Sequence, residues 1–415
     1  MTADIKNITI VGAGIVGICC ALQLQRDGYK VTLIDRDGPG EGTSSGNAGI
    51  FSCGSVHPEG MPGIWRKGLK MLTDPLGPAT IRPSYAPKIF PFLLRMLKES
   101  SPTRADEISQ SIAALSQPAL EHFKPLLADA QARELVKENG CLTLYESAEA
   151  FAAGRRDNAY RDRRNTPYET LGPDEIRQMA PVLGNRFAGA IYLPTAGHTV
   201  NPLKLSQSLF ALFRANGGTF VCADVMDATI GDRGAESLRT ADGMIEVSNL
   251  LIAAGAFSKK LTGKLANYVP LDTERGYHAV LPNANLELKQ CLLIPGRGIA
   301  VTQMDMGLRI AGTVEFAGLE AAPNYKRADI LVDHANSLFP DLNYKDAEKW
   351  MGYRPAIPDS LPVISKSPKH PNVFFAFGHG HLGLTQAAIT GRLIADLVGD
   401  KTPTIDITPY RVDRF

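Results

Sequence analysis

Residues 5–35 read IKNITIVGAGIVGICCALQLQRDGYKVTLID. The first seven are apolar and β-branched enough to predict a buried strand. Glycines follow at positions 12, 14 and 17. Residues 15–26 then carry apolar side chains at a helical period that stops before Gly28, and residues 30–35 give a second short apolar strand. Two strands joined by one helix in so short a unit lie parallel. In this GxGxxG turn Gly12 allows the tight strand-to-helix corner, Gly14 lets backbone approach a pyrophosphate, and Gly17 lets the helix pack closely on the strand. The anion then sits at the helix N-terminus, against the free N–H groups of the first turn at Ile15 and Val16. Asp35 ends the second strand, 23 positions after Gly12, where a carboxylate accepts hydrogen bonds from a ribose hydroxyl. Arg36 beside it fits either a 2′-phosphate or an exposed position after a strand. The stretch predicts a dinucleotide site and leaves nicotinamide and flavin both open.

Around this unit lies a chain of 415 residues and 44.7 kDa, enough for two or three domains at about 150 residues each. Lys and Arg number 44 against 43 Asp and Glu, so no basic field points to nucleic acid. Six cysteines with no CxxC pair argue against a disulfide framework and a structural zinc site, and no other metal-ligand pattern appears. No apolar run approaches the ~18 residues that cross a bilayer. The opening MTADIKNITI runs into a strand rather than a basic and then apolar leader, so no secretory signal is expected.

Residues 38–63 are rich in Gly, Ser and Pro without helical period, a loop long enough to be functional. Helices are predicted near 85–98, 104–129, 173–180, 202–216 and 384–398, and strands at 219–222, 249–254 and 372–378. Residues 277–281, 299–303 and 308–313 predict an antiparallel group, the last two joined by a hairpin loop at 304–307.

Four distant segments carry a family likeness: GTSSGNAG (42–49), LIAAGAFS (251–258), WMGYRPAIPDSLPVI (350–364) and FGHGHLGLTQAAITGRLIADL (377–397). With the N-terminal fingerprint, in this order, the chain resembles the FAD-dependent amine and amino-acid oxidoreductases, which include D-amino-acid oxidases, glycine and sarcosine oxidases and the bacterial D-amino-acid dehydrogenases. The resemblance implies FAD as cofactor and an α/β fold, with a Rossmann-like FAD-binding domain and an inserted α+β substrate domain built on an antiparallel sheet. The expected division is 1–80, 198–262 and 346–415 for the FAD-binding domain and 81–197 and 263–345 for the substrate domain.

Thr43, Ser44, Ser45 and Asn47 offer short donors and acceptors, while Gly46, Ala48 and Gly49 let backbone come close to a flat or anionic ligand. By resemblance this loop wraps the pyrophosphate and the flavin. Likewise Ala254 and Gly255 approach the adenosine end, the backbone of Val225 meets the adenine, and Gly380, His381, Leu382, Gly383 and Thr385 face the pyrimidine edge of the flavin. Arg354 is expected to clamp a substrate carboxylate, for which its planar fork is suited. Tyr277 is placed on the active-site roof, and His57 competes with His278 to reach the substrate; strand alternation puts Tyr277 and His278 on opposite faces.

The expected reaction is hydride transfer from Cα of a D-amino acid to flavin N5. GHGHLGLTQ is similar to enzymes acting on D-hydroxyproline or D-proline, and His381 and Leu384 depart from the broad-specificity pattern, so a cyclic D-imino acid is expected, with His381 bonding a substrate hydroxyl. The alternatives are a sarcosine- or glycine-type amine oxidase and a flavoprotein subunit of a larger complex. The electron acceptor is oxygen or a quinone of the respiratory chain. Residues 85–98, which mix aromatics with Lys88, Arg95 and Lys98, either pack on their own domain or rest on a membrane. The expected location is cytoplasmic, with peripheral attachment at the inner membrane as the alternative, and a homo-oligomer or hetero-complex stays open.

Overall fold

The computed structural model describes residues 6–64, 77–232, 234–266, 268–339 and 341–415. Its first sheet has the order Thr219–Cys222, Lys30–Asp35, Asn7–Val11, Leu250–Ile252, Val373–Phe377 and Val363–Lys366. The first five strands are parallel and the last is antiparallel. Parallel strands need cover on both faces. One face carries the helices Ile15–Arg26, Pro202–Ala215 and Gly383–Val398, and the other the three-stranded meander Asp227–Gly231, Gly234–Thr240 and Gly243–Glu246. The first and last of these helices touch through backbone. A Cβ at Gly391 would lie 2.6 Å from the carbonyl oxygen of Cys19.

The second sheet has nine strands, with Glu348–Ala356 at one edge, followed by Asp272–Leu281, Gly307–Phe316, Ile299–Met304, Cys291–Ile294, Cys141–Tyr145, Gly189–Leu193 and Glu169–Leu171; Ala79–Ile81 pairs with Gly307–Phe316. The helix Lys326–Leu338 packs its Ala328, Leu331 and Ala335 onto one face. The opposite face looks toward the first sheet.

The antiparallel group expected around 277–313 is present and longer than expected, with the hairpin turning between Met304 and Gly307. The helix expected over 104–129 is two helices, Pro102–Ser116 and Ala119–Asp129, because Pro118 lacks the N–H needed to continue the first. Two segments cross the expected domain division. Glu348–Ala356, which carries Arg354, belongs to the nine-stranded sheet, and Pro355 is tolerated there because the strand is an edge. Helices Pro102–Ser116 and Ala119–Asp129 bury Ile108, Ile112 and Phe123 in the core under the parallel sheet. They belong with the nucleotide-binding layer rather than with the inserted pieces.

Candidate active site

Between the two sheets lies a cavity of about 530 Å³ that runs from Gly12, Asp35 and Val225 to Arg354 and His381. Its far end is made of backbone. Gly12 has φ +114°, and a Cβ there would lie 2.4 Å from the carbonyl oxygen of Ala253, so only glycine fits. Asp35 accepts the N–H of Ala13 at 2.6 Å and of Asp37 at 3.0 Å. Burial pushes its carboxyl above the usual range against these two bonds. Ser44 Oγ accepts the N–H of Ile15 at 3.0 Å, which ties the second glycine-rich loop to the first. The guanidinium of Arg36 stacks on Phe257, 3.8 Å from the ring centre, and its Nε donates to Asp37 at 3.2 Å.

The 42–49 loop spends its side chains on holding itself. Thr43 Oγ1 donates to the Tyr353 carbonyl at 3.0 Å and accepts its N–H at 3.2 Å. Asn47 donates to the Ser44 carbonyl at 2.8 Å and accepts the N–H of Gly49 at 2.7 Å. From outside, Arg309 donates to the carbonyls of Ser45 and Asn47 at 3.0 and 2.8 Å, and Thr302 to that of Ala48 at 2.8 Å. The His278 ring meets the Gly46 carbonyl at 2.9 Å and stacks on Trp350, centroids 4.9 Å apart. Burial and the Arg309 charge depress its pKa to about 3, so it stands there neutral. What remains facing the cavity is largely a ribbon of main chain and small side chains, suited to an extended anionic and planar ligand.

Most of the expected residues line this cavity: Gly12, Gly14, Ile15, Val16, Asp35, Arg36, Thr43, Ser44, Asn47, Ala48, Gly49, Val225, Ala254, Gly255, Gly380, His381 and Gly383, together with Tyr277 and Arg354. Several do not. Gly17 packs under the first turn, where a Cβ would strike the carbonyl oxygen of Gly12. Ser45 turns away to donate to the Glu41 and Gly42 carbonyls. Leu382 is buried in the core, and Thr385 accepts the N–H of Ser52 at 3.0 Å behind the wall. His57 is also outside, with Nε2 at 3.0 Å from the Asp157 carbonyl and its ring edge-on to Tyr160. Its rival His278 lies behind the loop, so neither histidine reaches a ligand through the cavity wall. Tyr277 keeps its ring at the cavity, but its hydroxyl donates to Glu315 at 2.5 Å and accepts the N–H of Asn324 at 3.0 Å. Burial and that carboxylate push the phenol up to about 12, so no free hydroxyl is presented.

Arg354 lies across Gly276: a Cβ on that glycine would be 2.3 Å from the guanidinium. It donates to the carbonyl of Thr313 at 3.0 Å. Thr313 holds that carbonyl from φ +55°, a strained position for a β-branched residue. Burial lowers the Arg354 pKa, and the nearby Glu274 and Glu59 oppose the shift. One hydrogen bond leaves most of the fork free for an external carboxylate. Glu59 and Glu274 were not expected. Gly380 makes room for the Glu59 side chain, whereas Gly276 makes room for Arg354 and nothing local marks Glu274.

The chain matches the model of the FAD dependent oxidoreductase family over residues 7–397. It is 36% identical to a D-amino-acid oxidase of Bradyrhizobium diazoefficiens and 29% identical to a D-amino acid dehydrogenase of Neisseria gonorrhoeae, each alignment covering 99% of both chains. Its fold superposes on glycine oxidase from Geobacillus kaustophilus with a TM-score of 0.73, at 21% identity and 99% coverage of both. The glycine that no Cβ could replace, the acid at the end of the second strand and the main-chain ribbon fit FAD. The chain belongs to the FAD-dependent oxidoreductase family, and FAD is its cofactor.

Proposed function

We propose that this protein oxidises the Cα–N bond of a D-amino acid, most suitably a cyclic D-imino acid such as D-proline or D-hydroxyproline. FAD, when bound, supplies the hydride acceptor. Arg354 carries the reading: it is the cation at the cavity wall whose fork is held by one carbonyl and otherwise open, the condition for a two-point grip on an α-carboxylate. Holding the carboxylate there fixes the substrate for reaction. Gly276, directly beneath the guanidinium, leaves the approach clear. The D-amino-acid reading is supported by the names of the 36% and 29% identical relatives. The proline-like reading rests on His381 and Leu384, which both line the cavity and give it one imidazole and one apolar wall.

The test is product analysis over a panel of D- and L-alanine, D- and L-proline, D-hydroxyproline, sarcosine and glycine. Cyclic imine from the D-imino acids is the expected product. Turnover confined to sarcosine and glycine would replace the reading with an amine oxidase. Because the reacting amine must be neutral, kcat/KM should climb between about pH 6 and about pH 9, and a flat profile would contradict the mechanism.

The same reading extends to the acceptor. Helix Ala86–Glu99 buries Ile89 and Phe92 but leaves Phe90, Leu94 and Leu97 exposed along one face, near the exposed Lys88, Arg95 and Lys98. An apolar stripe beside cations fits the surface of an anionic membrane, where a quinone would take the electrons. Co-sedimentation with anionic vesicles, lost in a Phe90→Ser/Leu94→Ser double variant, is the expected result. No helix among the described residues is long and apolar enough to cross a membrane.

A further inference from the structure

Behind the Arg354 wall lies a cluster that the carboxylate grip does not use. Glu274 is the direct cross-strand partner of Arg354 and is buried. Its carboxyl meets that of Glu59, which comes from the loop after the flavin ribbon. Glu59 in turn lies 2.7 Å from Nδ1 of His381. Its main-chain N–H donates to Ser360 Oγ at 3.0 Å, which ties the loop to the turn at Ser360. Gly380 makes the approach to His381 feasible, since a Cβ there would come to 3.2 Å from the Glu59 oxygen. His381 lines the cavity, whereas the two glutamates do not. The charged groups facing the imidazole are Glu59 directly, with Glu274, Arg354 and Asp272 behind it.

Two adjacent carboxyls share one proton most readily when one of them is buried, and Glu274 is the buried member, whereas the Glu59 side chain is 24% exposed. The neighbours decide where it sits. Burial and the adjacent Glu59 hold Glu274 well above the usual carboxylate range. Burial opposes ionisation of Glu59 as well, but the hydrogen bond from His381 and the Arg354 charge act against it, and that carboxyl is held below its usual range. Glu59 is therefore the acceptor, and it takes one hydrogen bond from the Glu274 O–H and one from the imidazole. A neutral imidazole has a single N–H. With that hydrogen on Nδ1, Nε2 is left bare, and no partner for Nε2 occurs among the described residues.

We propose that Glu59 and Glu274 form a one-proton carboxyl pair that fixes His381 as its Nδ1–H tautomer, so that Nε2 is the base that takes the ammonium proton of the bound amino acid. This rests on the amino-acid reading above. In the step, an N–H bond of the substrate ammonium breaks, the proton passes to Nε2, and the electron pair stays on the substrate nitrogen, which is then neutral and ready to lose hydride from the adjacent Cα. Glu59 balances the imidazolium. The side chain of His381 is 47% exposed, so the proton leaves to water before the next turnover. Glu59 and Glu274 are positioning residues, and His381 is the catalytic one.

The test has a spectroscopic arm and a kinetic arm, both on the FAD-loaded protein. With ¹⁵N-labelled histidine and His381→Asn to assign the signal, the wild type should show the Nδ1–H tautomer, and Glu59→Ala should shift it toward Nε2–H. In turnover, Glu59→Ala and His381→Asn should each lower kcat by about 10²-fold, the size of one lost general base, with KM changed by no more than about threefold. Glu274→Leu should lower kcat less, and Glu274→Gln should restore most of that loss because its amide still donates to Glu59. D-Proline and D-hydroxyproline should suffer equally. An Nε2–H tautomer in the wild type, an undiminished kcat in Glu59→Ala, or a loss confined to D-hydroxyproline would overturn the proposal, the last making His381 a hydroxyl partner instead. If Glu59→Ala fails to fold, the wild-type spectrum still decides the tautomer. If the wild type turns over no D-amino acid, the function reading fails, while the tautomer result stands separately.

Discussion

The two ends of the cavity are built from different material. At the Gly12 end the wall is main chain, and the polar side chains of the 42–49 ribbon are turned inward to brace it. At the Arg354 end the wall carries the side chains of Arg354 and His381, backed from outside the cavity by Glu59 and Glu274, and the charges of these four separate segments are set against one another. A main-chain surface can hold a cofactor through a whole catalytic cycle without favouring one amino acid over another. A charged cluster can discriminate and move protons, but depends on every member being in place. The difference predicts that damage at the first end empties the protein of FAD, while damage at the second leaves a yellow protein with poor turnover.

The largest effect should come from Gly12→Ala. Its Cβ would enter the Ala253 carbonyl from a positive φ, and the strain with overpacking should cost about 3–5 kcal/mol. Thermal melts and flavin absorbance should both show it; normal FAD retention would break the comparison. Next, Arg354→Met should keep FAD and the yellow colour but lower kcat/KM by about 10²–10³-fold through loss of the charged grip. Steady-state kinetics with a D-amino acid check this, and parallel loss of colour would mean that the two ends are not separate.

A smaller effect should appear in the pH dependence of stability. His278 braces the ribbon as a neutral ring, with a folded-state pKa near 3 against 6.5 unfolded. Its contribution is complete above pH 6.5 and shrinks as pH falls toward the folded value, because the unfolded chain gains the proton first. Between pH 6.5 and about pH 4.5 the wild type should lose about 1–2 kcal/mol more than His278→Asn, measured by denaturant melts at each pH. Equal slopes would remove the neutral histidine from the ribbon. The smallest effect should come from Asp27→Asn, remote from both ends. Asp27 caps the first helix and pairs with Arg392 at 2.6 Å and Lys401 at 2.7 Å. The Arg392 hydrogen bond leads the causes that lower its carboxyl to about 2. Its share, about 1 kcal/mol at pH 7, should fade only as pH falls from about 4 toward 2, without any effect on turnover.

The first end was legible because its determinants are local. Gly12, Gly14, Gly17 and Asp35 sit in one strand–helix–strand unit, and the spacing itself states the geometry. The second end was legible only where a motif resembled a family, as at Arg354 and His381. Glu59 and Glu274 stand 215 positions apart, carry no spacing of their own, and meet only because strand Asp272–Leu281 pairs with the Arg354 strand while the loop after residue 51 crosses in front. His57 was the wrong choice in that loop for a related reason. Two residues from Glu59, it turns to the Asp157 carbonyl on another helix, a long-range contact that nothing local announces. The domain division failed at 348–356 because WMGYRPA, with its glycine and proline, reads weakly as a strand and becomes one through its neighbour in the sheet.

The most direct test of an amino-acid carboxylate gripped beside the flavin is anaerobic mixing of the FAD-loaded protein with D-proline, D-alanine and their L-enantiomers, followed at the flavin absorption band. Bleaching by the D-forms alone, fastest with D-proline, is the result the proposed function predicts. A flavin that stays oxidised with every D-amino acid, or that bleaches equally with both enantiomers, would contradict it.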